Sequence, residues 1–273
     1  QRNEHADMVI DATGTFGNHN WLGTGGAPAV GESLCADMME YGLPDMQGDA
    51  RERYADKHTL VVGSGYSAAT NVVALAELMT TFLKTQVTWI TNASEDMSGG
   101  PIRRVPDDRL TARDELACRA NQLVSDGTIQ HLPGLRIDAI RRDATTNQLS
   151  VQFENEPVAD TTSFDNIIAN VGYRPDASLY AELQVHQCYA TGGPMKLAAA
   201  LLGESSADCL DQTSHGPATL LTPEPNFYIL GSKSYGRNSN FLVSVGLEQI
   251  RDVFSIIGGR EDLDLYASMS STA

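Results

Sequence analysis

The 273-residue sequence predicts an α/β fold with a central parallel sheet, and three observations support this prediction. An apolar strand over 59–62 leads into a glycine-rich turn and then into an amphipathic helix over 68–83. A second strand over 86–91 follows that helix and completes a strand–helix–strand unit, for which a parallel, right-handed crossover is expected. The alternation continues with a helix over 107–127 and a strand over 128–132. Alternating strands and helices are typical of a parallel sheet that is covered by helices.

The rest of the chain has weaker patterns, which we assign from apolar runs and turn residues. An apolar strand over 7–11 opens the sequence. Further strands are predicted over 135–140, 149–153, 164–171 and 227–230, and further helices near 177–183 and over 240–257. Loops, with one short helical turn, are predicted over 12–56 and 188–225. Asn238 or Ser239 is expected to cap the last helix at its start, and Gly258 is expected to end it.

The turn after the strand at 59–62 has the sequence Gly63-Ser64-Gly65-Tyr66-Ser67-Ala68, which matches the pattern of a dinucleotide-binding turn. Gly63 can take backbone angles that are closed to other residues, and Gly65 has no side chain to block a pyrophosphate. Ala68 allows the helix to pack closely on the strand. The first amides of the helix lack an internal partner and point at a bound anion. A bare match is weak evidence, but the strand before it and the helix after it make the prediction specific.

Charge and composition narrow the classes of function. Nineteen basic against 35 acidic residues give a formal net charge of −16, which argues against nucleic acid and anionic membranes as partners. The length favours two domains, and the 41% apolar content suffices for a core. No stretch approaches the roughly 20 apolar residues that a membrane-spanning helix needs. We therefore expect a cytoplasmic protein that acts on a small-molecule substrate, and the sequence leaves open whether it forms a homo-oligomer.

The sequence indicates neither a metal centre nor a catalytic side chain. The cysteines are far apart and form no CxxC pair, so a redox dithiol and a zinc knuckle are both unsupported. They are Cys35, Cys118, Cys188 and Cys209. Free thiols fit a reducing compartment. Because the six histidines share no spacing, we assign no metal ligand and no catalytic residue, which leaves chemistry that cofactors carry.

Two further segments share one pattern, an apolar strand that ends in small residues. The first runs from Asp7 and ends in Ala12-Thr13-Gly14, and the second runs from Phe164 to Gly172. Small residues at the end of a strand let the backbone approach a ligand closely. The two segments lie on either side of the glycine turn in the sequence, which favours a role in binding over two unrelated buried strands.

Taken in order, Ala12-Thr13-Gly14, the turn at 63–68 and Gly172-Tyr173-Arg174-Pro175 resemble the two-dinucleotide flavoprotein superfamily. This superfamily includes the flavin-containing monooxygenases and the thioredoxin-reductase-like oxidoreductases. The resemblance implies a Rossmann-like NAD(P)-binding domain inserted into an FAD-binding domain. It also implies FAD as a cofactor beside NADP or NAD, with hydride transfer from nicotinamide to flavin.

The same resemblance implies domain boundaries and flavin contacts. Residues 1–56 would be a remnant of the first FAD segment with the crossover, 57–170 the NAD(P)-binding domain, and 171–273 the second FAD segment. The residues expected near FAD are Ala12, Thr13, Gly14, Gly172 and Gly231.

The sequence departs from this family at the FAD site. The family carries an earlier GxGxxG turn for the FAD pyrophosphate, and this sequence has none. The family's Gly-Asp pair is replaced here by Gly231-Ser232-Lys233. We therefore expect a fragment, the downstream two-thirds of a flavoenzyme, that is inactive on its own for lack of the FAD pyrophosphate motif.

Two functions follow from these patterns. The leading prediction is an FAD-dependent NAD(P)H oxidoreductase, and the lack of a CxxC pair favours a monooxygenase-like role over a disulfide reductase. The alternative is a binding module that holds NAD(P)H without flavin and without turnover.

The sequence favours NADPH over NADH as the reductant. NAD-specific sites place an acidic residue at the end of the second strand, where it accepts a hydrogen bond from the ribose 2′-hydroxyl. Here that strand is followed by neutral Asn92, and Arg103 and Arg104 come shortly after. Asn92 avoids repulsion of a 2′-phosphate, and either arginine can pair with it through two hydrogen bonds. Glu95 and Asp96 lie slightly late in the sequence for the NAD-specific role.

Overall fold

The structure is a computed structural model, and it describes residues 3–92, 99–154, 162–203, 210 and 213–267. The chain divides into two compact units. The continuous unit comprises residues 20–171, and the split unit comprises residues 1–19 together with residues 172–273. The sequence of one unit is thus inserted into the sequence of the other.

The described residues have the mixed α/β character that the sequence predicts. The strands are β1 (Val9–Asp11), β2 (Met39–Glu40), β3 (His58–Val62), β4 (Gln86–Thr91), β5 (Gln130–Pro133), β6 (Ile137–Arg142), β7 (Leu149–Phe153), β8 (Thr162–Phe164), β9 (Asn166–Ala169) and β10 (Phe227–Ile229). The α-helices are α1 (Arg51–Tyr54), α2 (Tyr66–Met79), α3 (Thr111–Ser125), α4 (Met195–Gly203) and α5 (Val243–Gly258). Short 3-10 helices cover Thr24–Gly26, Glu32–Met38, Ser178–Tyr180, Pro217–Leu220 and Gly231–Lys233. Within the described ranges, every helix is too short or too polar to span a membrane.

The continuous unit is built on a five-stranded parallel sheet with the order β2-β9-β3-β4-β5. One face packs on α2 and α3 through a core that includes Val61, Trp89 and Ile168. The other face packs on the antiparallel sheet β6-β7-β8 through a core that includes Leu60 and Ile167. Because both faces are covered, Leu60, Val61 and Val62 of β3 are consecutive apolar residues and do not alternate with polar ones. The predicted parallel pairing of β3 with β4 is confirmed.

Residues 20–56 pack within the continuous unit, whereas the sequence-based prediction began the NAD(P)-binding domain only after them. Strand β2 pairs in parallel with β9, and Met39 lies opposite Ile167. Tyr54 of α1 is fully buried in the same core as Met46. These contacts come from the very short elements β2 and α1 and from a single turn residue, Met46, so no apolar periodicity marks the segment as part of the unit. The other predicted boundary differs from the observed one by a single residue.

The split unit contains a two-stranded parallel sheet, in which β1 pairs with β10 and Ile10 lies opposite Tyr228. Its main core includes Tyr228, Val245 of α5 and Leu197 of α4. Strand β1 is covered far less than the central strands β3, β4 and β9 of the continuous unit, since Val9 is 48% exposed and Ile10 is 39% exposed.

The element predictions are confirmed for most strands and for the two long helices of the continuous unit, with shifted ends. The predicted strand over 164–171 is divided into β8 and β9 at Asp165. Its carboxylate accepts a hydrogen bond from the His58 N–H at 2.8 Å, which ties the break to the start of β3. The predicted loops over 12–56 and 188–225 contain β2 and α4, which that prediction missed, and the four-residue α1, which fits the short helical turn predicted over 12–56.

The last helix begins later than predicted, and neither predicted residue is its N-cap. Helix α5 starts at Val243, after the N-cap residue Leu242. The Asn238 side-chain oxygen instead accepts a hydrogen bond from the Asn240 N–H at 2.9 Å, in the turn before the helix. The predicted end is confirmed, because Gly259 adopts a left-handed φ of 60° directly after the helix.

Candidate functional site

The glycine turn lies at the carboxyl end of β3, where the order of the sheet reverses. The chain proceeds from β3 to β4 on one side, and β9 later returns to pair with β3 on the other side. In open α/β sheets, ligands bind in the crevice beyond the carboxyl ends of the strands at such a reversal. Residues 63–68 therefore lie where the topology predicts a binding site.

Gly63 occupies a position that only glycine fits. Its φ is +135°, and a Cβ there would lie 2.3 Å from the backbone oxygen of Asn170, just after β9. Its N–H donates a hydrogen bond to the carbonyl oxygen of Ile90 at 3.1 Å. The predicted special backbone angles are confirmed, and their cause is the close approach of two strand ends.

The second glycine leaves open space beside the start of α2. Gly65 has an ordinary φ of −99°, and apart from its chain neighbours no described atom lies within 4 Å of where its Cβ would be. Ser64 and Ser67 are exposed, and Tyr66 begins the 14-residue helix. Ala68 is fully buried in the core between helix and sheet, as its predicted packing role requires. The turn therefore presents the start of a helix to a space that an anion can enter.

Asn92 lies at the same edge of the sheet as the glycine turn. It is exposed and directly follows β4. Because β3 and β4 are parallel, with Val62 opposite Ile90, the residues after both strands emerge on the same side. Glu95 and Asp96 lie outside the described residues.

The loop that carries the two arginines returns to the start of α2. The Tyr66 hydroxyl donates a hydrogen bond to the backbone oxygen of Arg103 at 3.4 Å. Ile102 is 2% exposed, and its N–H and carbonyl oxygen both bond to the side chain of Asn121 at 2.9 Å. The sequence analysis did not predict this anchor. The signal available in the sequence was Ile102 itself, a single isoleucine in a polar loop. The anchor holds Arg103 near the turn.

The two arginines differ in their partners. The Arg104 guanidinium makes two parallel hydrogen bonds to Asp114, from Nε to Oδ1 and from Nη2 to Oδ2, each at 2.7 Å. These bonds hold the pKa of the Asp114 carboxyl below its ordinary value. The Arg103 side chain is exposed, and its guanidinium has no hydrogen-bond or ion-pair partner in the part of the chain that the structure describes. Arg103 is therefore the cation of the pair that remains available to an anion.

In the split unit, the predicted residues lie at the carboxyl ends of β1 and β10, which meet at one edge because the strands are parallel. Ala12, Thr13 and Gly14 follow β1, and Gly231 comes shortly after β10. Gly14 and Gly231 have left-handed φ values of +73° and +70°, and a Cβ at Gly231 would meet no described atom within 4 Å. Gly172, with a φ of +82°, is the first residue of the return to the split unit.

A buried ion pair joins these two strand ends, and sequence reasoning missed it. The Lys233 ammonium is fully buried and donates to Asp11 Oδ2 at 2.6 Å and to Thr13 Oγ1 at 3.0 Å. The other Asp11 oxygen accepts hydrogen bonds from the N–H and the hydroxyl of Thr13, at 3.0 and 2.7 Å. Burial acts to raise the pKa of Asp11, but the bonds from Lys233 and Thr13 outweigh it, and the pKa lies below its ordinary value.

The split unit fits a flavin nucleotide in part. The open space at Gly231 and the left-handed glycines admit close approach of a ligand to the backbone. Lys233 and Asp11 neutralise each other, so this pair adds no free charge for a phosphate or a ribityl hydroxyl. In the described residues of this unit, no second glycine turn leads from a strand directly into an α-helix. The residues present would hold one side of the cofactor.

Comparison with known proteins supports the fold. No protein-family model and no curated protein sequence matches the chain. A bacillithiol disulfide reductase from Bacillus cereus is similar, with a TM-score of 0.63 and 20% identity over 93% of this chain and 62% of that one. The Staphylococcus aureus bacillithiol disulfide reductase has a TM-score of 0.60 and 16% identity over 93% and 63% of the chains. A thioredoxin reductase from T. acidophilum has a TM-score of 0.58 and 17% identity over 93% and 66%.

These similarities have two consequences. At 16–20% identity they show the fold alone, which is the Rossmann-like α/β fold that the sequence predicts. The chain spans 62–66% of the length of the three structures. What the complete enzymes do is therefore carried over to this chain only as a proposal.

Proposed function

We propose that this chain, which has the fold of the two-dinucleotide flavoprotein superfamily, binds NAD(P)H through the glycine turn of its continuous unit. The observation that carries the proposal is the open space at Gly65, directly before the first turn of α2. A pyrophosphate in that space accepts hydrogen bonds from the amides at the helix start and interacts favourably with the helix dipole. The net charge of −16 makes such a local source of positive potential necessary.

Gly65→Val tests the proposed pyrophosphate site. Apart from its chain neighbours, no described atom lies within 4 Å of where a Cβ at position 65 would be, so we expect the variant to fold and its larger side chain to exclude the ligand. The Kd for NADP⁺, measured by isothermal titration calorimetry, should rise at least about tenfold, which is about 1.4 kcal/mol of binding free energy. Gly203→Val is the control, because Gly203 is also exposed and, outside its own helix and chain neighbours, no described atom lies within 4 Å of where its Cβ would be. Unchanged affinity in a folded Gly65→Val variant overturns the assignment.

The preference for NADPH over NADH is assigned to Arg103 together with Asn92. The support is the exposed guanidinium of Arg103 beside the start of α2, which has no partner among the described residues, whereas Arg104 is occupied by Asp114. Arg103→Ala should raise the Kd for NADP⁺ by roughly 10- to 100-fold, as expected for loss of a charge-assisted hydrogen bond, and leave the Kd for NAD⁺ unchanged. Arg104→Ala is the control. A larger effect from Arg104→Ala would transfer the role to that residue.

The proposed activity is that of an FAD-dependent NAD(P)H oxidoreductase, and FAD when bound would supply the acceptor of the nicotinamide hydride. The residues of this chain would contribute positioning. Gly14 and Gly231 would let the cofactor approach the backbone closely, because neither has a side chain. The Asp11–Lys233 pair would fix the ends of β1 and β10, which these glycines follow. Flavin absorbance that NADPH bleaches in the purified protein supports this activity. Protein that stays colourless with added FAD overturns it for this chain alone.

We propose that the final electron acceptor of the reaction is something other than a disulfide. Two of the similar structures are named as bacillithiol disulfide reductases, and the third is named as a thioredoxin reductase. In this chain, the described cysteines Cys35, Cys118 and Cys188 are free thiols, and the sequence has no CxxC pair. A monooxygenase-like role, or another flavin reductase, is therefore the finer proposal. NADPH oxidation coupled to oxygen uptake without any disulfide supports it, and a strict requirement for a disulfide substrate overturns it.

A second candidate function is a module that binds NAD(P)H without flavin or turnover. It is favoured by the contrast between a complete glycine turn in the continuous unit and the partial flavin fit of the split unit. Tight NADP⁺ binding by protein that takes up no FAD is the result that selects this candidate.

A further inference from the structure

The indole of Trp89 contacts the glycine turn from inside the core. Trp89 lies on β4 opposite Val61 of β3, and its side chain is fully buried. Its indole N–H donates a hydrogen bond to the carbonyl oxygen of Gly63 at 2.8 Å. A buried tryptophan needs an acceptor for this N–H, and here the acceptor belongs to the first residue of the turn.

Gly63 benefits from such a restraint because glycine has more backbone freedom than any other residue. Rotation of the peptide between Gly63 and Ser64 would turn the following amides away from the crevice. The carbonyl oxygen of Ile90 holds the Gly63 N–H at 3.1 Å, and the oxygen of Asn170 closes the side on which a Cβ would project. The bond from Trp89 holds the remaining group, the carbonyl that leads into the turn.

The indole is itself fixed by its surroundings. His131 of β5 packs edge-on against it, with 5.5 Å between ring centroids and 63° between planes. His131 Nε2 lies 3.1 Å from the Thr91 hydroxyl, which links this ring to the end of β4. Trp89 cannot leave the Gly63 carbonyl without opening the core, so the folding of the sheet sets the position of the donor.

We propose that Trp89 is a positioning residue that presets the glycine turn for a dinucleotide pyrophosphate before the ligand arrives. This inference rests on the proposed function of the turn. A turn that is ordered in advance loses less conformational entropy on binding, so its ligand binds more tightly. Removal of the indole N–H weakens ligands that use the turn. It spares a ligand that uses only the edge formed by Asn92 and Arg103.

The test compares Trp89→Phe with wild-type protein for two ligands, NADP⁺ and 2′-AMP, which carries the 2′-phosphate but no pyrophosphate. We expect the Kd for NADP⁺ to rise about 5- to 10-fold, as for loss of one neutral hydrogen bond, and the Kd for 2′-AMP to stay within twofold. Trp21→Phe is the matched control, because Trp21 lies in the same unit and packs edge-on against Tyr41. It should change neither Kd.

A second variant keeps the test decisive if Trp89→Phe does not fold. In the Trp21→Phe background, the single remaining tryptophan is replaced biosynthetically by benzothienylalanine, whose sulfur replaces the N–H at nearly the same volume. A selective rise in the Kd for NADP⁺ supports the proposal. Unchanged affinity for both ligands, or an equal loss for both, overturns it in favour of a core-packing role. Wild-type protein that binds no NADP⁺ would instead overturn the proposed function of the turn.

Discussion

The two units contain the same type of parallel pairing but differ in how completely they bury it. In the continuous unit, β3 lies between two neighbouring strands and beneath cores on both faces, and Leu60 and Val61 are fully buried. In the split unit, β1 pairs only with β10 among the described strands, and Val9 is 48% exposed. Parallel strands are usually buried on both faces. The comparison shows that β3 is buried on both faces within its own unit, whereas β1 has one described neighbouring strand and is partly exposed.

The two units also stabilise their strand ends in different ways. The turn after β3 is fixed by the close approach of the Asn170 backbone to Gly63 and by the hydrogen bonds that Gly63 makes with Ile90 and Trp89. These contacts involve no charged side chain. The ends of β1 and β10 are joined by the buried pair of Asp11 and Lys233. A buried ion pair contributes little net stability when intact, but losing one partner is costly because the other charge stays buried. The split unit should therefore be the more sensitive of the two to one polar substitution.

Lys233→Met is expected to have the largest effect. It leaves the Asp11 carboxylate buried with the Thr13 bonds alone, which should lower the free energy of unfolding of the split unit by about 3–5 kcal/mol. Hydrogen exchange measured by mass spectrometry on peptides from β10 and α5 reports this unit. Tryptophan fluorescence reports the continuous unit, since Trp21 and Trp89 both lie there.

The double variant Lys233→Met with Asp11→Asn is the control for this prediction. The introduced asparagine keeps an acceptor for Thr13 and removes the buried charge, so most of the lost stability should return. If the double variant is as unstable as Lys233→Met alone, packing of the lysine stem rather than charge pairing holds the strand ends.

Two isoleucine-to-alanine variants test the difference in burial directly. Ile168 of β9 is fully buried, so Ile168→Ala should lower the free energy of unfolding by about 2–5 kcal/mol. Ile10 of β1 is 39% exposed, and Ile10→Ala should cost less than about 1 kcal/mol. Urea unfolding followed by fluorescence measures the first, and hydrogen exchange measures the second. Equal costs would mean that β1 is covered in solution, and the contrast between the units would be lost.

The sequence predicts the continuous unit well because its signals are local. The apolar residues of β3, the alternating pattern of β4 and the apolar positions of α2 lie close in sequence to the turn they position, and the buried Ala68 follows from the same motif. The family resemblance predicts that residues 20–56 belong to the other domain, and no local pattern opposes it, because Tyr54 and Met39 lie on very short elements between loops. Their packing depends on contacts distant in sequence, which no periodicity records.

Within the turn, the two glycines are expected to differ in their effect on stability. Gly63→Ala places a Cβ 2.3 Å from the Asn170 oxygen at a φ of +135°, and should lower the free energy of unfolding by about 2–3 kcal/mol. Gly65→Ala has an ordinary φ and open space, and should change stability by less than about 0.5 kcal/mol. Fluorescence-detected urea unfolding measures both. Similar values for the two would show that the strand ends relax around a side chain at position 63.

The candidate site was predictable in its glycines and less so in its charged and supporting residues. Gly63 and Gly65 follow from a motif, whereas the choice between Arg103 and Arg104 depends on Asp114, which lies on a different element. The Lys233 pair likewise joins positions 222 residues apart in sequence. Side chains that select a partner across the fold are therefore the part that the sequence alone does not reveal.

A fall in pH should lower the stability of the two units in different pH windows. We expect this to be the smallest of the predicted effects. Burial lowers the pKa of His131, so between that lowered value and the unfolded pKa of about 6.5 the unfolded chain binds more protons. The stability of the continuous unit should therefore fall as the pH drops below about 6.5. The lowered pKa of Asp11 moves the corresponding loss in the split unit to below about pH 4. His131→Gln, which keeps a partner for Thr91, should flatten the fluorescence-detected dependence between pH 7 and 5. A slope that persists unchanged in this variant assigns the titration to another group, such as His58, whose pKa burial also lowers.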